Sequence, residues 1–498
     1  MRSVLAFLYC AGRGLALCSL LFVSNSYGQS QSREEAGLPE NSDLKKQVSE
    51  LRDLVQKLQE RVDELEKRSS SAQPILPTST ASAATGSASS VAMPDPPAAQ
   101  SASPAAGAPA PQGPSAEHNV SPAADLLRGT TVNISFDGYY AYNFNQPIGR
   151  ANLLRSYDVS SNAISLNQAA LVLENAADPE NGKRVGMRLD LQYGQATETL
   201  QGNPANEPRP EIYRNVFQAY GEYVAPIGTG LKLDFGKFAS SLGYEGNYTK
   251  DQMNYSRSFW FAILPFYHMG LRANYKVNDK LALSYWLVNG TQQVEPFNGF
   301  KDQFFGLALQ PAKSLSWNVN YYLGQEHPDV MYFPNGGAPP GLPTQQGVPF
   351  MPITDSANGK LHIFDSYVAW QASSKATVAV EGDYVIQRLH ETSSPMHVDG
   401  GAVYLQYQLN KKLWLAGRAE YVSDHGGGLF SNSTAAFKET TFTTKYALAD
   451  QFLVFGEWRR DFSNQPYFYT SRLGILKKEQ NTATLGLVWW FGGKQGAW

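Results

Sequence analysis

Beyond residue 128 the chain repeats one local pattern. Short segments of alternating apolar and polar residues are joined by connections that alternate between short and long. Successive side chains of a β-strand point to opposite faces, so this period of two predicts strands with one apolar and one polar face. In the last such segment, 482–491, Leu485, Leu487, Trp489 and Phe491 share one face. A single strand of this kind would also suit a sandwich, so it is the repetition that constrains the fold.

The alternation predicts sixteen strands. Their expected bounds are 131–144, 164–174, 184–193, 212–224, 230–238, 266–276, 281–289, 302–310, 315–324, 360–371, 376–386, 398–409, 413–422, 438–449, 452–462 and 480–491. Tight turns such as Asn278-Asp279 and Asp450-Gln451 alternate with longer connections such as 194–211 and 325–359. Short turns on one rim and long loops on the other are typical of transmembrane β-barrels, whereas a sandwich or a propeller does not require this asymmetry. We therefore predict an all-β fold, a 16-stranded antiparallel transmembrane β-barrel over residues 128–498, with both ends on the short-turn side.

Composition agrees with a barrel and excludes two other classes of protein. After residue 28 no stretch approaches the roughly 20 apolar residues of a membrane helix, which excludes a helical membrane protein. After residue 127 the chain carries 31 basic and 31 acidic residues. This balance gives no electrostatic footprint for nucleic acid, and it sets no overall sign for ion selectivity.

Four segments precede the predicted barrel. Residues 1–28 have the charged start, apolar centre and small-residue cleavage site of a secretory signal peptide, and they contain both cysteines of the chain. Residues 29–41 form a short N-terminal tail. Residues 69–127 are mainly Ala, Ser, Pro and Gly and cannot build a core, which predicts a flexible linker. We expect the whole N-terminal region of the mature protein to lie in the periplasm.

Between the tail and the linker, residues 42–68 predict a coiled coil. Apolar residues recur at alternating spacings of four and three, with valine at each a position and leucine at each d position of the heptad. They are Leu44, Val48, Leu51, Val55, Leu58, Val62 and Leu65. We expect a homo-oligomer through residues 44–65; this pattern favours two helices, whereas Leu54 at a g position widens the apolar stripe enough for three. The alternative is an ordinary amphipathic helix that docks on a core.

The polar faces of the strands supply the candidate functional residues. If the apolar faces meet lipid, the polar faces line a lumen, where charged side chains either set a field across a water-filled pore or pair with one another and stiffen the wall. The candidates for pore lining or constriction are Arg188, Asp190, Glu222, Lys232, Asp234, Glu245, Lys250, Asp251, Arg257, His268, Arg272, Glu381, Asp383, Arg418, Glu420, Glu457 and Arg459. Four of these lie among aromatic residues in the third long loop, 239–265, which either folds into the lumen or packs on the surface.

No catalytic motif emerges from the sequence. The seven histidines lie outside nucleophile elbows, HExxH motifs and metal-ligand spacings. We therefore predict that the protein is not an enzyme, and we predict no cofactor and no metal site.

Six short motifs carry a resemblance to a known family. They are Ser-Phe-Asp-Gly-Tyr-Tyr at 135–140, Asp-Phe-Gly-Lys-Phe at 234–238, Tyr-Ser-Arg-Ser at 255–258, Pro-Phe-Tyr-His-Met-Gly-Leu-Arg at 265–272, Val-Asn-Gly at 288–290 and Trp-Trp-Phe-Gly at 489–492. Over about residues 130–498 the chain resembles the OmpL-like β-barrel porin family of Gram-negative bacteria. It departs from barrels that end on phenylalanine, because seven residues follow Phe491 and the last is Trp498.

The resemblance implies a channel in the bacterial outer membrane, in contact with its lipid. We expect a porin that allows passive diffusion of small hydrophilic solutes or ions and that does not bind nucleic acid. The alternative is a structural barrel with no open channel, tethered in the periplasm through the oligomeric coiled coil.

Overall fold

The computed structural model describes residues 129–200, 207, 209–333, 337–345, 347–352, 358–492 and 498, together with Gln56. Apart from Gln56, the predicted signal peptide, N-terminal tail, coiled coil and linker lie outside the described residues.

Sixteen strands form one closed antiparallel barrel. In chain order they are β1 (Thr131–Asn143), β2 (Ala163–Asn175), β3 (Val185–Tyr193), β4 (Val216–Ala225), β5 (Leu231–Ala239), β6 (Tyr267–Asn278), β7 (Leu281–Val288), β8 (Asp302–Ala312), β9 (Leu315–Gly324), β10 (Leu361–Gln371), β11 (Ala376–Gln387), β12 (Met396–Asn410), β13 (Leu413–His425), β14 (Ala435–Ala449), β15 (Phe452–Ser463) and β16 (Glu479–Gly492). Each strand pairs with the next, and β16 closes the sheet against β1, where Phe136 lies opposite Trp489. The predicted number of strands and the closure of the sheet are confirmed.

The two faces of the sheet differ as the alternation predicts. On β1 the inward residues Ser135 and Asp137 are buried, whereas Ile134 and Phe136, which alternate with them along the strand, are exposed. On β16 the inward threonines are buried, and Leu485 is 50% exposed. Apolar side chains therefore cover the outside of the barrel, whereas the inside holds polar side chains beside a cluster of buried apolar residues that includes Trp260, Trp286 and Phe304.

The two rims of the barrel carry different connections. Seven connections lie at the rim where the barrel begins and ends, and six of them have five residues or fewer; we call this the short-turn rim. The eight connections at the opposite rim, the long-loop rim, have between eight and 36 residues. This is the asymmetry that the sequence predicts.

The remaining elements lie in the connections. The described residues contain three short helices, α1 (Gln195–Leu200), α2 (Pro210–Tyr213) and α3 (Phe259–Ile263), and 3-10 turns at Ile148–Arg150, Pro179–Asn181 and Thr249–Asp251. Two small sheets also lie in the connections. One has three strands, with Val348–Pro352 between Val330–Tyr332 and Thr344–Gln345, and the other pairs Phe468–Tyr469 with Leu476–Lys477. Among the described residues, no helix has the length and apolar character needed to cross a membrane.

The largest departure from the predicted strand boundaries is at the start of the fourth strand. The fourth strand was expected from residue 212, but β4 begins at Val216 because α2 occupies the preceding residues. Pro210 takes the first position of α2, where a missing backbone N–H costs nothing and the fixed φ angle suits a helix. The β-forming residues Ile212 and Tyr213 continue that turn.

Candidate functional site

The third long loop, residues 240–266, folds into the barrel, and we call it the lumen loop. Tyr255, Phe259 and Trp260 are fully buried, and Arg257 is 1% exposed. The strand residues that bind the loop face inward on β1, β11, β13 and β15. The loop therefore crosses the lumen, which settles the choice between the two placements that the sequence left open.

Two strand carboxylates hold the backbone of the lumen loop. Glu457 on β15 accepts hydrogen bonds from the backbone N–H groups of Tyr255 and Ser256, at 2.7 and 3.0 Å. Glu420 on β13 accepts from the backbone N–H of Phe259 at 2.8 Å. Hydrogen bonds to an ionised acceptor are roughly twice as strong as neutral ones, so these two residues fix the middle of the loop.

Two buried arginines form ion pairs with acidic residues of the lumen loop and of the barrel wall. Arg418 on β13 lies 2.8 Å from Glu245 of the lumen loop and 2.9 Å from Glu439 on β14. Arg459 on β15 lies 3.0 Å from Glu439 and 2.7 Å from Asp461 on its own strand. Removing one partner of a buried ion pair leaves an uncompensated charge and destabilises the folded protein by about 3–5 kcal/mol. These ion pairs therefore oppose displacement of the lumen loop.

The first long loop, residues 144–162, packs on the lumen loop. Arg155 is buried and lies 2.7 Å from Asp461. The fully buried ring of Tyr157 lies 4.3 Å from the guanidinium of Arg257, close enough for a cation–π interaction. Two loops therefore narrow the lumen together.

A second cluster holds the lumen loop to β1. Asp137 accepts hydrogen bonds from the hydroxyl groups of Tyr255 and Thr249, both at 2.6 Å, and from the side-chain amide of Asn167 at 2.8 Å. The Tyr255 ring lies against Gly486 on β16, where a Cβ atom would overlap the ring. The absence of a side chain at residue 486 is what makes room for Tyr255.

The structure also brings the predicted pair of Arg188 and Asp190 to the lumen loop. The two side chains lie 2.8 Å apart on β3. Asp190 accepts a hydrogen bond from the Tyr248 hydroxyl at 2.8 Å. This pair therefore supports the loop from β3, on the side of the barrel opposite Glu381 on β11.

Three carboxylates form an acidic cluster on β10 and β11. Oxygen atoms of Asp365, Glu381 and Asp383 lie within 4.8 Å of one another. Asp365 and Glu381 accept hydrogen bonds from the backbone N–H groups of Gly243 and Tyr244, at 3.1 and 2.8 Å. Within the part of the chain that the structure describes, none of the three forms an ion pair with lysine or arginine. The cluster anchors the first part of the lumen loop.

A cavity of about 440 Å³ remains beside the lumen loop, between it and the wall at β4. Three charged residues line it, Glu245, Asp251 and Glu381, and all are acidic. Trp498 forms part of the wall, with its ring 5.5 Å from that of Tyr248.

The other sequence candidates lie in structural networks. Lys232 lies 2.5 Å from Glu222, and Arg272 lies 2.8 Å from Asp234, so four of them form ion pairs across β4, β5 and β6. His268 is fully buried and hydrogen-bonded to the backbone carbonyl of Gly290 and the hydroxyl of Ser240. Lys250 pairs with Asp251 at 2.7 Å.

Sequence reasoning missed several residues that hold the lumen loop. They are Asp137, Arg155, Asp365, Glu439 and Asp461. Four of the five lie at inward positions of their strands, so the alternation could have identified them as lumen-facing. Arg155 lies in a loop without periodicity, and no sequence signal marks it.

Comparison with known proteins gave one family match. A family profile described as "Putative beta-barrel porin-2, OmpL-like" matches residues 129–491. No curated protein matches the chain.

Solved structures with a similar fold are outer-membrane proteins of low sequence identity. A loop L8 deletion mutant of OmpT from Vibrio cholerae is 11% identical, with 73% of this chain and 100% of that chain covered and a TM-score of 0.46. The outer membrane channel DcaP of Acinetobacter baumannii is 10% identical, with coverage of 73% and 97% and a TM-score of 0.46. OprB of Pseudomonas putida is 12% identical, with coverage of 75% and 96% and a TM-score of 0.46.

Proposed function

This chain belongs to the OmpL-like β-barrel porin family and is an outer-membrane porin for passive diffusion, and on that premise we propose that the lumen loop is its selectivity constriction. The observation that carries the proposal is the attachment of the loop to inward carboxylates on opposite sides of the barrel, Asp190 on β3 and Glu381 on β11, with a cavity of about 440 Å³ left beside it. A loop fixed in this way sets the cross-section available to a solute. Small hydrophilic solutes and ions pass, and larger ones are excluded.

We further propose distinct roles for the sequence candidates. Arg418, Glu420, Glu457 and Arg459 position the loop, because they bind its backbone or belong to the ion pairs that hold it. Glu245, Asp251 and Glu381 face the passage, because they line the cavity. Among the described residues that line this cavity, no lysine or arginine occurs, so the passage favours cations over anions.

Planar-bilayer recording tests both parts of this proposal. The purified full-length chain is expected to give stepwise conductance and, under a salt gradient, a reversal potential that indicates cation preference. Asp251→Asn is expected to reduce that preference, whereas Glu222→Gln, in the ion-paired network away from the cavity, is the matched control. An anion preference in the unmodified protein would contradict the assignment of the passage.

The same recording separates the porin from a purely structural barrel. If the protein shows no channels under conditions in which a control porin conducts, the structural alternative is favoured, in which the barrel is closed and tethers the outer membrane. We propose that the N-terminal region lies in the periplasm and that residues 44–65 make the protein a homo-oligomer. Light scattering of the full chain and of a chain lacking residues 29–127 tests the second point, since only the full chain should self-associate through this segment.

A further inference from the structure

Two histidines and one aspartate meet on the outer face of the barrel at the long-loop rim. His397 on β12 lies directly opposite His425 on β13, and Asp399 lies two residues further along β12. Val398 and Asp424, their immediate neighbours, are fully buried and face the lumen. Since side chains alternate along a strand, the three residues share the outward face.

The ligand atoms of these side chains converge. The Nε2 atoms of His397 and His425 lie 3.8 and 3.7 Å from the same Asp399 carboxylate oxygen. One ligand atom from each of the three residues fits within a span of 4.8 Å. Zn²⁺ binds nitrogen and carboxylate oxygen at about 2.0–2.2 Å, which places neighbouring ligands of a tetrahedral ion roughly 3.4 Å apart. Small side-chain rotations therefore suffice to close the site on an ion.

The two imidazole rings are stacked, with centroids 4.3 Å apart and planes inclined by 17°. Stacking in this close arrangement suits neutral imidazoles, which is the form that binds metals. The Ser423 hydroxyl lies 2.8 Å from Nε2 of His425 and is the contact that a metal ion would displace. An ordinary pair of surface histidines would not require a shared carboxylate at nearly equal distance from both.

Solvent exposure gives an ion access to these residues. The side chains of His397, Asp399 and His425 are 31%, 38% and 47% exposed. Three protein ligands leave a fourth coordination position for water or another oxygen donor. Two imidazoles and one carboxylate select zinc-like transition metals, because calcium and magnesium prefer sites made of oxygen ligands alone.

From this juxtaposition we propose that His397, Asp399 and His425 bind one divalent transition-metal ion of the zinc class on the outer surface of the barrel. The ion joins the ends of β12 and β13 at the long-loop rim. The site is independent of the lumen and of diffusion through it, so it adds a binding function to the porin.

Zinc titration of the full-length chain tests this proposal. The protein is prepared without a histidine tag, stripped with a chelator, kept in detergent and titrated with ZnCl₂ by calorimetry. We expect one zinc ion per chain, with affinity reduced at least roughly tenfold by His397→Gln or His425→Gln and also reduced by Asp399→Asn. Cobalt(II) should give the visible absorption of a four-coordinate ion, and zinc should abolish that absorption.

His362→Gln is the matched control. His362 also lies on the outer face near the long-loop rim, but it is hydrogen-bonded to Tyr321 and is not part of the cluster. Retention of zinc binding in the three cluster variants, or an equal loss in His362→Gln, would overturn the site. Displacement of zinc by equimolar calcium would overturn the assignment to the zinc class. The heat-dependent gel mobility of each variant shows whether its barrel is folded, and the Asp399→Asn variant changes only one atom of the side chain.

Discussion

Replacing Gly486 with alanine should release Tyr255 and with it the middle of the lumen loop. The added Cβ would overlap the Tyr255 ring, which is fully buried against β16. The ring must then move, and its hydroxyl leaves Asp137, to which it donates a hydrogen bond of 2.6 Å. The substitution therefore acts on the constriction through one added methyl group.

The expected size of the effect follows from these two contacts. Losing a hydrogen bond to a charged group costs about 1.5–3 kcal/mol, and exposing part of a buried aromatic side chain costs a further ~1–2 kcal/mol. A total of about 3 kcal/mol raises the population of the displaced loop roughly a hundredfold, because each 1.4 kcal/mol is a factor of ten. Tyr255→Phe removes the hydroxyl alone and should give a smaller change of the same sign.

Single-channel conductance measures this population. We expect Gly486→Ala to show a larger unit conductance or more frequent large openings than the unmodified protein. Gly456→Ala is the matched control, because residue 456 lies on the adjacent strand opposite Leu485, and a Cβ atom there meets no other atom within 4 Å. If Gly486→Ala conducts like the unmodified protein while folding normally, or if Gly456→Ala changes conductance as much, the reasoning is refuted.

Three further predictions concern other parts of the chain. Trp498→Ala should raise conductance, because the Trp498 ring forms part of the cavity wall; unchanged conductance would remove it from the passage. Burial raises the pKa of Glu207 from 4.5 to about 7, so the stability that its buried, neutral side chain gives the loop contact at Val294 is complete below about pH 4.5 and is lost as the pH rises through 7. Hydrogen exchange at residue 294, corrected for its intrinsic pH dependence, should therefore increase over this range, and Glu207→Gln should flatten the increase; a flat profile in the unmodified protein would contradict it. Deleting residues 29–127 should leave the unit conductance unchanged, and a barrel that no longer folds would show that the domain boundary is wrong.

The strands could be predicted because barrel strands obey one local rule. Alternation along 482–491 places the leucines outside and the threonines inside, and the structure has them there. The start of β4 could not be predicted in this way. Ile212 and Tyr213 favour a strand, whereas Pro210 at the first helical position favours a helical turn. Residue propensities alone do not show which of these opposing preferences is the stronger.

The candidate site could be predicted only in part, because its contacts join residues far apart in the chain. Glu457 stands on the polar face of its strand, but nothing local indicates that it binds the backbone of Tyr255. The role of Gly486 likewise depends on a ring that approaches from the far side of the lumen. His397 and His425 become neighbours only through the register of β12 and β13, which explains why no spacing in the sequence indicated a metal site.

The attachment of the lumen loop through its backbone has a consequence for how the pore can evolve. Glu420 and Glu457 accept hydrogen bonds from backbone N–H groups, which every amino acid except proline possesses. These backbone contacts do not depend on the identity of the loop side chains, unlike the side-chain contacts of Tyr248 and Tyr255. The width and charge of the passage can therefore change by single substitutions in the loop, whereas proline at residue 255, 256 or 259 would remove one of these backbone hydrogen bonds.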